Sequence, residues 1–189
     1  MMQTLFDIAP VLPEGFNYYP EFISAQEESL LVELVQQFDL QQMKFHQYEA
    51  KRRVVSFGKG WSFTEQQLKQ GNPIPATFNF LIEKVAAKLS IAKENIAQFL
   101  ITEYPPGAVI NWHRDAPPFD IIAGVSLSTD CNFKLRPQEK EKQTRKATLN
   151  LTVQRRSLYS MQGIAKNEWQ HSTAPVKETR YSLTFRTLK

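Results

Sequence analysis

The chain has 189 residues, 42% of them hydrophobic, with a formal charge of +4 and an isoelectric point near 9.1, which suits one substantial core, so a single domain over residues 1–189 is predicted. Its one cysteine, Cys131, excludes an intrachain disulfide framework and fits a reducing compartment. No apolar run reaches the roughly 18 to 20 residues needed to span a bilayer, and Met1 to Leu12 lacks a basic region and carries Asp7 and Pro10, so a cytoplasmic protein with no secretory signal and no membrane partner is expected.

Residues 1–20, with Pro10, Pro13, Gly15 and Pro20, predict an extended leader followed by turns. Ser24-x-x-Glu27 is a capping-box pattern, and Leu30, Leu31, Leu34, Val35 and Phe38 follow at helical spacing. From Phe45 to Phe63 the chain combines Tyr48, Lys51, Arg52, Arg53, Phe57, Lys59 and Trp61, with Gly58 and Gly60 suited to a tight turn. Cations interleaved with aromatics can neutralise phosphates and stack on bases; the same pattern also describes an edge hairpin with solvated charges. A second helix is predicted from about Pro75 to Leu89, with Phe78, Leu81, Ile82, Val85 and Leu89 along one stripe. Gln98 to Tyr104 alternates, Phe99 and Ile101 against Leu100, Thr102 and Tyr104, until Pro105-Pro106-Gly107 breaks the strand. Further strands are predicted over 109–112, 121–128, 132–135, 148–153, 157–161 and 180–188. The mixed-sign run from Arg136 to Lys146 reads as an exposed hairpin tip. Two helices in the N-terminal half and then a series of short strands predict an α+β, mainly β, fold: a double-sheet jelly roll or barrel backed by the helices.

The chemistry centres on His113 and Asp115. Two residues apart on an extended segment, they project to one side and bring an imidazole and a carboxylate to one point. The chain holds three histidines, His46, His113 and His171, and the last precedes the strongest strand signature, Arg180 to Arg186. Two histidines and one carboxylate with open positions describe the facial triad of non-heme Fe(II) oxygenases, although His-x-Asp alone also describes a hydrogen-bonded pair. Strict alternation from 180 to 186 puts Tyr181, Leu183 and Phe185 on one face and Arg180, Ser182, Thr184 and Arg186 on the other. Arginine suits bidentate capture of a carboxylate in a cavity. At about 3.3 Å per residue Arg180 and Arg186 lie roughly 20 Å apart, so one carboxylate for each is expected. No His-Glu-x-x-His, cysteine-rich zinc site, Gly-x-Ser-x-Gly or phosphate-binding glycine loop occurs.

Tyr104-Pro-Pro-Gly107, His113-Arg-Asp115, His171 and Arg180-Tyr-Ser-Leu-Thr-Phe-Arg186, in this order and spacing, resemble the AlkB-like family of Fe(II)- and 2-oxoglutarate-dependent dioxygenases over about residues 45–188. The resemblance implies a double-stranded β-helix with Fe(II) held by His113, Asp115 and His171, and with 2-oxoglutarate and O2 as cosubstrates. It places Tyr104 and Arg180 on 2-oxoglutarate, has Arg186 complete its carboxylate site, and lines the site with Thr102 and Ser182, where asparagine is usual. It makes residues 45–63 a substrate-recognition lid, with Lys51, Arg52, Arg53, Phe57 and Trp61 as substrate-binding residues. Ala116-Pro117-Pro118 stands where base-demethylating members carry acids.

The implied activity is oxidative demethylation of alkylated nucleic acid, as in DNA repair, with a single-stranded or damaged strand as partner. The alternatives are a hydroxylase or demethylase of a protein or small molecule on the same scaffold, and a non-catalytic nucleic-acid-binding β-barrel.

Overall fold

The computed structural model describes residues 11–45 and 48–189; the first half of the predicted leader and His46 lie outside them. The chain runs through β1 (Phe16–Tyr19), α1 (Ala25–Val35), β2 (Gln41–Phe45), β3 (Tyr48–Ser62), β4 (Gln67–Gln70), α2 (Asn79–Leu89), β5 (Ile96–Tyr104), β6 (Phe119–Leu127), β7 (Cys131–Pro137), β8 (Leu149–Val153), β9 (Leu158–Met161), α3 (Gly163–Asn167), β10 (Trp169–Thr173) and β11 (Arg180–Leu188). The strands form two antiparallel sheets. The major one has the order β1-β9-β6-β11-β5-β3-β2, with β4 paired to β3, and the minor one is β10-β7-β8. This is the jelly-roll arrangement, with the helices on the outside of the major sheet.

The first helix begins as its sequence predicts, and the second begins later than Pro75. At α1, the Ser24 hydroxyl accepts from the Glu27 amide at 3.1 Å while the Glu27 carboxylate accepts from the Ser24 amide at 2.7 Å, a complete capping box. Before α2, the three residues after Pro75 form a 3-10 turn, and the α-helix starts at Asn79.

Two apolar layers follow from strand alternation. Phe99, Ile101, Val125, Leu183 and Phe185 face outward and close a core against Leu31, Val35, Leu81 and Val85 of the helices. Between the sheets, Phe119, Ile122, Phe133, Leu135, Tyr159 and Met161 form a second cluster. On the same strands the alternate positions Thr102, Tyr104, Arg180, Ser182 and Thr184 are buried, facing the space between the sheets.

Four local expectations are corrected. Phe16–Tyr19 is a strand paired to β9 rather than part of an irregular leader. Gly58 and Gly60 do not turn the chain; β3 passes straight through them, and Gly58 (φ +76°) sits so close to β5 that a Cβ there would meet the Ala97 carbonyl oxygen at 2.2 Å. Residues 109–112 form no strand, because the Ile110 amide bonds to the Thr173 hydroxyl instead of to a ladder carbonyl. Conversely, β10 was not legible as a strand: Trp169-Gln-His-Ser-Thr173 has no apolar alternation, and its pairing with β7 makes it one. The charged run 136–146 joins β7 to β8 and is largely exposed, as predicted.

Candidate functional site

The irregular segment after Gly107 and the strand β10 bring the two histidines together. A two-residue antiparallel bridge fixes them: the His113 amide donates to the His171 carbonyl at 3.1 Å, and the His171 amide donates to the His113 carbonyl at 2.9 Å. Their rings then lie with centroids 4.2 Å apart. His171 stacks on Phe133 at 5.3 Å and 11°, which fixes its plane. His113 Nδ1 lies 2.8 Å from the Asn111 carbonyl oxygen, a donor-to-carbonyl contact that leaves Nε2 with its lone pair for a ligand.

Asp115 completes the cluster. One donor atom from each of His113, Asp115 and His171 falls within 4.8 Å of the others, and Asp115 Oδ2 lies 3.5 Å from His171 Nε2. The other oxygen, Oδ1, is taken by Arg186, whose Nε and Nη2 donate to it at 2.9 and 2.6 Å. Arg186 Nη1 donates to Gln98 Oε1 at 2.6 Å, and Gln98 Nε2 donates to the Ser56 hydroxyl at 3.0 Å. Burial alone would raise the Asp115 pKa, but the Arg186 guanidinium and the neighbouring imidazoles outweigh it and hold it at about 2. Burial, with His113 close by, lowers His171 to about 3. An ionised carboxylate and a neutral imidazole are the protonation states that metal binding needs. Two imidazoles and a carboxylate with open positions are a donor set suited to Fe(II).

Farther along β11, Arg180 is only 2% exposed. Its Nε donates to the Ser126 hydroxyl at 3.0 Å, and its guanidinium carbon lies 5.0 Å from the centre of the Tyr104 ring. Among the described residues no carboxylate pairs with it. A buried guanidinium with no carboxylate partner favours an incoming anion. Thr102 and Ser182 are register partners beside it, both buried. Burial raises the Tyr104 pKa, against the opposing pull of Arg180 and Arg52, so the phenol stays protonated.

Of the residues predicted on the carboxylate site, Arg186 departs from expectation. Its guanidinium is committed to Asp115 and Gln98, which fixes the orientation of the Asp115 carboxylate. The predicted lid set also divides. Phe57 is buried in the outer core, edge-on to Phe38 at 5.5 Å, and cannot stack on a base. Arg53 projects outward to Glu103, its Nη2 within 2.7 Å of both carboxylate oxygens. Arg52 takes the inner face, where its charge reaches Tyr104. The Lys51 ammonium lies over the turn at Gly107, and Trp61 packs against the inter-sheet cluster.

Sequence reasoning missed Gln98, Ser126 and Phe133, polar or apolar strand residues whose partners are distant in the chain. It also missed Phe63, which is 58% exposed at the β3–β4 turn and lines a cavity of about 340 Å³ beside Asp115. Its position as the last aromatic of the cationic stretch was the available signal.

Comparisons with known proteins agree with this geometry. The model of the 2OG-Fe(II) oxygenase superfamily matches residues 15–186. Among curated proteins, the mouse (Mus musculus) tRNA (carboxymethyluridine(34)-5-O)-methyltransferase ALKBH8 is 27% identical over 172 residues, 88% of this chain and 25% of that protein. The chain thus spans about a quarter of the length of the curated relatives it matches. In fold, it is similar to OsALKBH1, with TM-score 0.72 at 12% identity over 94% of this chain and 99% of the other. A Pseudomonas putida prolyl-4-hydroxylase gives TM-score 0.64 at 16% identity over 93% of each chain.

Proposed function

The chain belongs to the 2OG-Fe(II) oxygenase superfamily, with AlkB-like relatives, and from that premise we propose that it removes methyl groups oxidatively from alkylated nucleic acid. It is an Fe(II)- and 2-oxoglutarate-dependent dioxygenase. When bound, the iron with 2-oxoglutarate and O2 supplies the oxidising power for C–H hydroxylation, yielding succinate and CO2. Hydroxylation of an N-methyl group gives an aminal that expels formaldehyde.

In this reading His113, Asp115 and His171 hold the iron, and Arg186 fixes which Asp115 oxygen faces it. Arg180, with Tyr104, Thr102 and Ser182, takes the distal carboxylate of 2-oxoglutarate. Lys51, Arg52 and Trp61 on β3, extended by Phe63 at its turn, form the substrate lid.

The observation that carries the nucleic-acid reading is Phe63, an exposed aromatic on the wall of the cavity beside Asp115, at the end of a strand bearing Lys51 and Arg52. An aromatic there offers a stacking surface to a base that has left its helix, while cations along the strand hold phosphates. The test is to incubate the iron-loaded protein with 2-oxoglutarate and methylated single-stranded oligonucleotides, following succinate and methyl loss by mass. Succinate with demethylated product is expected. Succinate formation with no change in any oligonucleotide would move the substrate to proteins or small molecules.

A further inference from the structure

The cavity of about 340 Å³ beside Asp115 has an unusual electrostatic lining. Lys166, on α3, is 5% exposed and lines it. Its ammonium makes one long hydrogen bond, to the Pro117 carbonyl at 3.4 Å, and no carboxylate among the described residues pairs with it. An ammonium carries three donors and is costly to bury unpaired. Burial accordingly lowers its pKa, and Lys189 and Arg114 lower it further against the opposing charges of Asp115 and Asp120.

The rest of the wall does not compensate. Arg114 lines the same cavity, with Nη1 on the Asn167 carbonyl at 2.7 Å. Asp115, the one carboxylate in the lining, is already paired with Arg186. Asp120 lines a different groove. Gln138, also in the lining, has a buried side-chain oxygen without a hydrogen-bond partner. The cavity therefore offers surplus positive charge and one unfilled acceptor next to the candidate iron ligands. An anionic oxygen complements the positive side chains of this lining, and an N–H or O–H donor complements the Gln138 oxygen. A cationic methylated base would meet the side chains of Arg114, Lys166 and Lys189, with the lining's Asp115 already paired to Arg186.

We propose that this cavity binds an anionic oxygen group of the substrate, a carboxylate or a phosphate, through Lys166 and Arg114, and so selects substrates with a negative charge near the reacting carbon over cationic N-methylated bases. The identity of the molecule bearing that group rests on the nucleic-acid reading above; the anion site itself does not.

The experiment uses protein loaded with Mn(II) and 2-oxoglutarate without O2, so that the Arg180 end is filled and no turnover occurs. Acetate and inorganic phosphate are titrated by calorimetry into wild type, Lys166→Met and Lys166→Arg. One of the two anions binds wild type, and which one identifies the group. Lys166→Met weakens it on the order of tenfold to a hundredfold, the range for losing a charged hydrogen bond, and Lys166→Arg retains most of the affinity. Removing an unpaired buried charge should not impair folding, which a melting curve checks. Failure of both anions to bind wild type, or unchanged binding by Lys166→Met, overturns the proposal.

A second titration uses short oligonucleotides carrying either a base with a carboxylate substituent or 1-methyladenine. Preference for the carboxylate is expected, and preference for the cationic base overturns the selectivity. If the anions bind through Lys166 while neither oligonucleotide binds, the anion site stands and the nucleic-acid reading falls.

Discussion

On the outer face of the β5–β11 pair, Phe99, Ile101, Leu183 and Phe185 are almost wholly removed from water beneath two helices. The inner face of the same two strands is nearly as buried yet carries Thr102, Tyr104, Arg180 and Ser182. The outer face is complete within the chain, since apolar groups need only each other. The inner face buries polar side chains instead, and Arg180 among them has a hydroxyl partner, Ser126, but no carboxylate partner among the described residues. One strand pair thus separates residues that hold the fold from residues proposed to bind ligands, and substitutions on its two sides should register in different measurements.

The largest effect is expected at His171. His171→Ala removes a proposed iron ligand but keeps the backbone bridge to His113 and the pairing of β10 with β7. Iron-dependent succinate formation should disappear while the melting temperature stays close to wild type. Wild-type turnover at the same iron occupancy would dissolve the triad. Phe99→Ala is the counterpart on the outer face. It opens a cavity among Phe57, Phe78 and Phe185 and should cost about 3–5 kcal/mol in urea unfolding, with the requirement for 2-oxoglutarate unchanged in the protein that remains folded.

The two arginines of β11 sharpen the contrast, because both are inner-face cations and only Arg186 has a carboxylate partner among the described residues. Arg186→Met leaves the Asp115 carboxylate buried and unpaired, so it should cost on the order of 3 kcal/mol and weaken iron binding about 10–100-fold. Arg180→Met removes a cation with no carboxylate partner. The ligand-free protein should be as stable as wild type or more so, while 2-oxoglutarate binding falls more than about tenfold. Equal destabilisation by both would mean that Arg180 has a structural partner and is no ligand site.

The smallest effect concerns acid stability. Burial would raise the Glu28 pKa, but the Arg155 guanidinium and the Ser128 amide hold it below 4.5. A folded-state pKa below the unfolded one contributes stability that is present above about pH 4.5 and is lost as pH falls toward the folded value. Melting temperature measured from pH 6 to pH 3 should therefore fall more steeply for wild type than for Glu28→Gln. Parallel curves would show that the Glu28 cluster, outside the site, makes no contribution to acid sensitivity.

Much of this division was legible in the sequence. The alternation of 98–104 and 180–186 assigns each residue to its face, and the capping box at Ser24 locates α1. The triad was also legible, since two histidines and an aspartate stand out by type. What the sequence hid depends on register between distant strands. Nothing local marks Gln98 as the partner of Arg186, or Ser126 as that of Arg180. The interleaving of cations with aromatics and the family resemblance put Phe57 among the substrate-binding residues, whereas its register opposite Phe99, with Gly58 letting β3 press against β5, turns that ring into the helix-facing core. Lys166 was invisible for a related reason: a lysine on a five-residue helix is normally solvated, and only the packing of α3 against the segment after Asp115 buries it.

The bond pattern at Asp115 has a consequence for coordination number. Both Arg186 hydrogen bonds end on Oδ1, so in the proposed triad Oδ2 would be the oxygen left to bind iron, and the carboxylate would be monodentate. Together with one nitrogen from each imidazole, it would hold the metal through three donors and leave its remaining positions to the cosubstrates. A chelating carboxylate would remove one of those positions. In the proposed triad Arg186 would therefore set the denticity of the carboxylate, and through it the open positions on which an oxygenase depends.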